Sequence, residues 1–179
     1  RIILSGMGGS ALGGGIVHSL SLLGGSPAPG HFIISRDYEI RAPLDADALV
    51  VAISYSGETE ETIAAYRAAR LAGVRVVAVA SGGTLLRMAR ADDAGAVIPV
   101  EIPPQRPGFQ PRFSLGYTSA FLLSLLDGLG IMPLPMRLEA VRERLESDMP
   151  RLQEKGKTLG VQLAGRSPVI YSSTPLEDG

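Results

Sequence analysis

Short, continuous apolar runs alternate with segments of helical period along most of the chain. The runs Arg1–Ser5, Phe32–Ser35, Leu49–Ser54, Val74–Ala80 and Ala96–Val100 are rich in Val and Ile and show little polar interruption. That is the pattern of strands buried on both faces of a parallel sheet. Helices are predicted between them. Ala11–Leu23 follows the first strand, Glu58–Ala72 carries Ile63, Tyr66 and Leu71 near helical spacing, and Thr84–Ala91 is striped by Leu85, Met88 and Ala89. Gly73 offers a natural C-cap to the second of these. Strands alternating with helices predict right-handed crossovers and a doubly wound α/β sheet with helices on both faces.

Beyond "VEIPPQRPGFQPR" the pattern changes, because Pro103, Pro104, Pro107 and Pro111 exclude a helix or a central strand there. A helix over Ser114–Leu129 follows and ends at Gly130. After "MPLP", the segment Met136–Met149 is charged and amphipathic, with Leu138, Val141, Leu145 and, past Pro150, Leu152 near heptad spacing. It predicts a connecting helix packed on a neighbour and interrupted at Pro150, with a short coiled coil as the alternative. "SPVIYSS", Ser167–Ser173, has the composition of another strand, the first of a further βα unit. The expected division is therefore a first domain over 1–130, a connecting segment over 131–166, and the beginning of a second domain over 167–179. The chain opens on an apolar strand without a methionine, so a preceding segment is also expected.

Composition narrows the function classes. At 179 residues, 45% hydrophobic and 20% charged, the chain fits a globular domain of ordinary size. A net charge of −1 argues against a broad electrostatic footprint for nucleic acid or an anionic membrane. The absence of cysteine rules out disulfides and thiolate metal sites, and His18 and His31 leave little for any other metal site. No apolar run reaches the roughly 20 residues that span a bilayer, and no secretory leader is legible at the start.

Two strand-to-helix junctions could carry chemistry. In "SGMGGSALGG", Gly6, Gly8 and Ala11 satisfy the dinucleotide fingerprint G-x-G-x-x-G/A, and Asp37 ends the second strand where a ribose-binding acid would sit. The same glycines also suit a plain tight turn. The other junction is "SYSGET". Ligands of open α/β sheets bind outside the carboxyl ends of the strands, and a helix N-terminus attracts anions through its unpaired N–H groups and its dipole. Ser54, Ser56 and Thr59 would add hydroxyls there, and Gly57 a close backbone approach. A simple N-cap by one of these hydroxyls is the alternative. The three together, around a glycine, point instead to a phosphate anchor. The loop is not a P-loop, since no lysine stands at the position that motif requires.

The segments "GMGGSALGG", "SYSGETEET", "SGGTLLRMA" and "GFQPRFSLGY" stand in the order and spacing of sugar isomerase (SIS) domains, and from Ile2 to about Tyr171 the chain resembles the bifunctional phosphoglucose/phosphomannose isomerases. The resemblance implies a flavodoxin-like doubly wound, five-stranded SIS domain. It implies sugar-phosphate binding by Gly9, Ser10, Ser54, Ser56 and Thr59, with Arg112 as the catalytic cation that stabilises an anionic intermediate. The implied reaction is interconversion of glucose 6-phosphate or mannose 6-phosphate with fructose 6-phosphate, without metal or other cofactor, in a cytoplasmic homodimer. The family's catalytic glutamate, histidine and lysine would lie in a second SIS domain beyond Gly179, so this chain is expected to hold the binding half of an active site and to be inactive alone.

Such chemistry removes a proton next to a carbonyl and passes through a cis-enediolate. It needs a phosphate anchor, a base, a ring-opening acid and a cation near the developing oxyanion. Within the chain no base stands out. Glu58 reads as a solvent-facing carboxylate that favours a helix N-terminus, His18 as a packed or surface histidine, and His31 as a loop residue. Arg112 also has a reading as a surface arginine. Two departures from the family pattern bear on efficiency and sugar preference: Thr84 follows "SGG" where many relatives have lysine, and "STPLEDG" lacks the glycine-rich pattern of a second domain's first loop. A non-catalytic SIS module binding a phosphosugar as a regulatory ligand is the alternative function.

Overall fold

The computed structural model describes residues 1–23, 32–93, 95–103, 110–134, 137–169 and 171, with the side chains of 21–23 and 111–112 outside the description. Five strands form one parallel sheet: β1 (Ile2–Gly6), β2 (Phe32–Ser35), β3 (Leu49–Ile53), β4 (Arg75–Ala80) and β5 (Val97–Glu101). Their spatial order is β2-β1-β3-β4-β5, the flavodoxin-like arrangement. Every predicted strand up to residue 101 is present, with ends shifted by a residue or so.

Alternation along the strands sorts the core into two layers. Ile3, Val50, Ala52, Val76 and Ala78 face one side, where they meet Ile63, Tyr66 and Ala69 of α2 (Glu60–Leu71) and Leu85, Leu86 and Ala89 of α3 (Gly83–Ala91). Ile2, Leu4, Val51, Ile53, Val77 and Val79 face the other side, against Val17 of α1 (Gly9–Leu23) and Leu122 and Leu126 of α4 (Leu115–Gly128). Full burial of each such Leu, Ile or Val is worth about 1.5–3 kcal/mol, so the two layers supply the driving force that the apolar runs announced. Glycines let α1 come close. A Cβ on Gly14 would lie 2.6 Å from a Leu4 methyl, and one on Gly13 would lie 2.6 Å from the Thr118 hydroxyl of α4.

Three helix expectations change. The first helix starts at Gly9, earlier than Ala11, because contacts with the sheet and α4 offset the low propensity of its glycines. The second starts at Glu60, not Glu58, since Thr59 is extended at φ −69° and ψ 116° and Glu58 lies outside the helix. The last, α5, runs unbroken over Leu138–Leu163 with Pro150 inside it, where an interruption was expected. Proline there removes one backbone hydrogen bond, a cost of about 3 kcal/mol. Good helix formers on both sides offset it, as do the spaced ion pairs Arg142–Glu146, Arg144–Asp148 and Asp148–Arg151, the last of which spans the proline.

The expected packing of this helix on a neighbour is not seen either. None of its residues is buried, and Leu145, Met149, Leu152 and Leu159 stand exposed along it. Of the strand expected at Ser167–Ser173, the described residues Ser167–Val169 and Tyr171 take no strand conformation, and the rest lie outside the description. Among the described residues no helix is long and apolar enough to cross a membrane.

Candidate functional site

The strand order reverses between β1 and β3: the chain moves from β1 to β2 on one side, then returns to place β3 on the other. The loops leaving the carboxyl ends of these two strands therefore diverge and leave a crevice, the usual ligand site of such sheets. Gly9 and Ser10 open α1 on one side of it, and Ser54–Thr59 lead into α2 on the other. The two loops are tied together, since the backbone N–H of Tyr55 donates to the Ser10 hydroxyl at 3.3 Å. The Tyr55 carbonyl in turn accepts both the N–H and the hydroxyl of Ser81, at 2.9 and 2.7 Å, which fixes the loop to the end of β4.

The three hydroxyls of the serine loop have unequal places. Ser54 is 0% exposed, and its Oγ accepts the N–H of Gly57 at 3.1 Å and of Thr59 at 3.4 Å while sharing a 2.8 Å hydrogen bond with Thr59 Oγ1. It is the internal fastener of the turn. Ser56 is exposed and accepts the Glu58 N–H at 3.2 Å. Thr59 stands at the N-cap position of α2, yet its side chain makes no capping bond, because the hydroxyl is turned to Ser54. The simple N-cap alternative therefore does not describe this loop. The helix entrance is left without a side-chain cap, and a helix N-terminus in that state is disposed to receive an anion.

The entrance of α3 is occupied differently. Glu58 reaches across from the serine loop, and its carboxylate accepts the Thr84 N–H at 2.9 Å and the Thr84 hydroxyl at 2.7 Å. The next amide, of Leu85, donates to the Gly57 carbonyl at 2.9 Å. Arg87 donates to Thr84 Oγ1 at 2.7 Å and lies 4.0 Å from the carboxylate. The hydroxyl and amide of Thr84 hold the Glu58 carboxyl below its ordinary value, with a smaller contribution from Arg87. Glu58 faces solvent, as expected, and is at the same time engaged at the entrance of α3, which makes it a poor candidate for a base. Sequence reading missed this link because the partners are 26 residues apart. The only local signal was the pair of glycine turns, "SGE" and "SGG", that brings them together.

The remaining candidates fall as follows. Arg112 lies in a 3-10 turn, Pro111–Ser114, whose backbone runs beside α1, and its side chain is outside the description. His18 stacks on Phe32 with ring centres 6.1 Å apart, as a packed histidine would. His31 lies outside the described residues. Asp37 accepts the Tyr38 N–H at 2.8 Å and pairs with Arg41 at 3.0 Å, so its carboxylate is committed within its own loop. Among the described residues no cluster of three or more His, Asp or Glu could hold a metal ion.

Comparison with known proteins agrees with this fold. The chain is 35% identical to a bifunctional phosphoglucose/phosphomannose isomerase of Caldicellulosiruptor bescii over 96% of its length, covering 50% of that protein. It is 38% identical to a protein of the same description from Aquifex aeolicus, over 98% of the chain and 50% of the relative. The chain thus spans about half the length of the curated relatives it matches. A solved structure, tagatose-6-phosphate ketose/aldose isomerase from Escherichia coli, superimposes with a TM-score of 0.52 at 19% identity over 81% of this chain and 42% of that one, which speaks to the fold. The SIS domain family matches residues 1–124, and with the flavodoxin-like sheet and the serine loop at its reversal point, this chain belongs to the SIS-domain family.

Proposed function

We propose that this chain supplies the phosphosugar-binding half of an aldose–ketose isomerase that interconverts glucose 6-phosphate, mannose 6-phosphate or both with fructose 6-phosphate. The observation that carries the reading is the entrance of α2: Thr59 turns its hydroxyl to Ser54 and leaves the first-turn amides without a side-chain cap, beside the exposed Ser56. The names borne by the relatives support a sugar phosphate as the anion. Gly9 and Ser10 at the start of α1 complete the cradle from the other side of the crevice, and Gly57 lets the backbone approach closely.

In the reaction a base takes the proton next to the carbonyl, a cis-enediolate forms, and the proton returns to the neighbouring carbon. No cofactor is needed for that balance. Arg112 is assigned the stabilisation of the enediolate oxygen, where a cation acts on charge that develops only in the transition state. The base and the ring-opening acid are assigned to residues outside this chain, since Glu58 is engaged with Thr84. The same reading carries a cytoplasmic homodimer for the whole protein. The exposed leucines of α5 support its burial in a larger assembly.

The test is an isomerase assay on the whole protein with glucose 6-phosphate and mannose 6-phosphate, beside titration with fructose 6-phosphate. Saturable binding with turnover of either aldose supports the enzyme. Saturable binding without turnover of either selects the regulatory phosphosugar module, and no binding removes both.

A further inference from the structure

We propose that Glu58 is a positioning residue for the anion cradle: by capping the first turn of α3 from outside that helix, it holds the Ser56–Thr59 loop in the shape that presents the amides of α2. The inference rests on the function proposed above and deepens it. It assigns a task to a residue that by position alone would be taken for either a surface charge or a base.

Three observations on separate atoms converge. The carboxylate accepts two hydrogen bonds from Thr84, one from the amide and one from the hydroxyl. The backbone follows the same direction, with Leu85 N–H bound to the Gly57 carbonyl. The chains touch between these bonds, because the Cα of Gly57 and the Cα of Gly83 are close enough that a Cβ on Gly83 would lie 2.9 Å from the former. Ser56–Glu58 of the serine loop is therefore laid against the entrance of α3, and Glu58 supplies the charged end of that contact.

The electrostatic consequence is directional. Two neighbouring helices present their positive ends near the crevice, and each could draw an anion. At α3 that place is taken by the protein's own carboxylate, and the amides of Thr84 and Leu85 are engaged. At α2 the N-cap side chain is withdrawn. Of these two entrances, that of α2 keeps its first-turn amides without a side-chain cap among the described residues, with Glu60 and Glu61 in the same turn, and it is flanked by Ser56 and faces the start of α1 across the crevice. Arg87, which donates to the Thr84 hydroxyl, completes a chain from guanidinium to hydroxyl to carboxylate and keeps Glu58 turned toward α3.

Glu58→Ala, Glu58→Gln and Thr84→Val in the whole protein test this, with inorganic phosphate as the probe in calorimetric titration and isomerisation kinetics beside it. Glu58→Ala is expected to weaken phosphate binding about tenfold, the scale of one net hydrogen bond, to raise KM in parallel, and to change kcat less. Glu58→Gln keeps a carbonyl acceptor for the Thr84 amide and recovers most of the loss. Thr84→Val, which keeps the amide and removes the hydroxyl, falls between them, so the idea remains testable if the alanine variant folds poorly. Unchanged phosphate affinity in Glu58→Ala overturns the positioning role alone. Loss of turnover in Glu58→Gln at unchanged KM overturns it too, and makes Glu58 a proton-transfer group. A native protein that binds neither phosphate nor fructose 6-phosphate overturns the anion site itself, and this inference with it.

Discussion

Gly57 and Gly83 stand so close that neither position has room for a side chain. A Cβ on Gly57 would lie 2.0 Å from the Gly82 carbonyl oxygen, and a Cβ on Gly83 2.3 Å from that of Ser56. Both residues also have φ above +70°, at 71° and 74°, where a side chain adds about 1–2 kcal/mol of strain. Alanine at either position is expected to lower unfolding free energy by about 2–4 kcal/mol from overpacking and strain combined and to weaken phosphate binding. Urea denaturation and phosphate titration check both. A variant as stable as the native protein would mean that the loops can part at little cost.

Ser54 and Ser56, two residues apart, should separate stability from binding. Ser54→Ala removes the fully buried acceptor of two backbone amides, so a loss of about 1–3 kcal/mol of stability is expected. Ser56→Ala changes an exposed hydroxyl. It should leave the melting temperature within about a degree or two and weaken phosphate binding about threefold to tenfold. Thermal melts beside titrations would show the split, and the reverse pattern would exchange the two assignments.

The Arg70–Asp92–Tyr66 cluster should impose a pH dependence at both ends of the scale. Arg70 grips Asp92 through two bonds of 2.9 Å, and the Tyr66 hydroxyl adds a third at 2.7 Å. Arg70 first, then Tyr66, hold the Asp92 carboxyl well below its ordinary 3.8. A carboxyl lowered in the folded state stabilises above its unfolded value, and that share is lost as acid protonates it. Burial, with the Asp92 bond and charge adding to it, pushes the Tyr66 hydroxyl well above its ordinary 10.0. Its share is present below that value and lost as pH rises beyond it. Asp92→Asn should flatten the acid limb below about pH 4, measured by denaturant midpoints across pH. An unaltered acid limb would assign that titration elsewhere.

Arg112→Ala in the whole protein should depress kcat by about 100-fold or more and change KM less, as for a cation that acts on the transition state. Steady-state kinetics with fructose 6-phosphate decide it. Intact turnover would remove Arg112 from the catalytic assignment.

The strands were legible because the signal for a strand buried on both faces is a continuous apolar run, and β1, β3 and β4 are little else. Helix ends were less so. Gly9 begins α1 in a segment of poor helical propensity because the glycines fit under Leu4 and Thr118, a fact of packing and not of local sequence. Pro150 was read as a break because its cost is local and known, whereas the ion pairs around it act over three or four residues. At the site, the hydroxyls and the glycine could be found by their crowding. Which hydroxyl turns inward and which outward depends on Ser54 being sealed beneath the loop, and that follows only from the sheet above β3. Glu58 was read as facing solvent, which it does, while its bonds to Thr84, 26 residues on, left no mark in the local sequence.

The reversal between β1 and β3 has a consequence for affinity. These two strands lie inside the sheet, each paired on both sides, so the loops they release are rooted in the best-supported part of the molecule. With Tyr55 held by Ser10 and Ser81, and Ser54 by its own turn, the loops proposed as the cradle are fixed by contacts within the protein itself. A phosphate entering it would have little backbone entropy to remove, and so more of the contact energy would survive as binding.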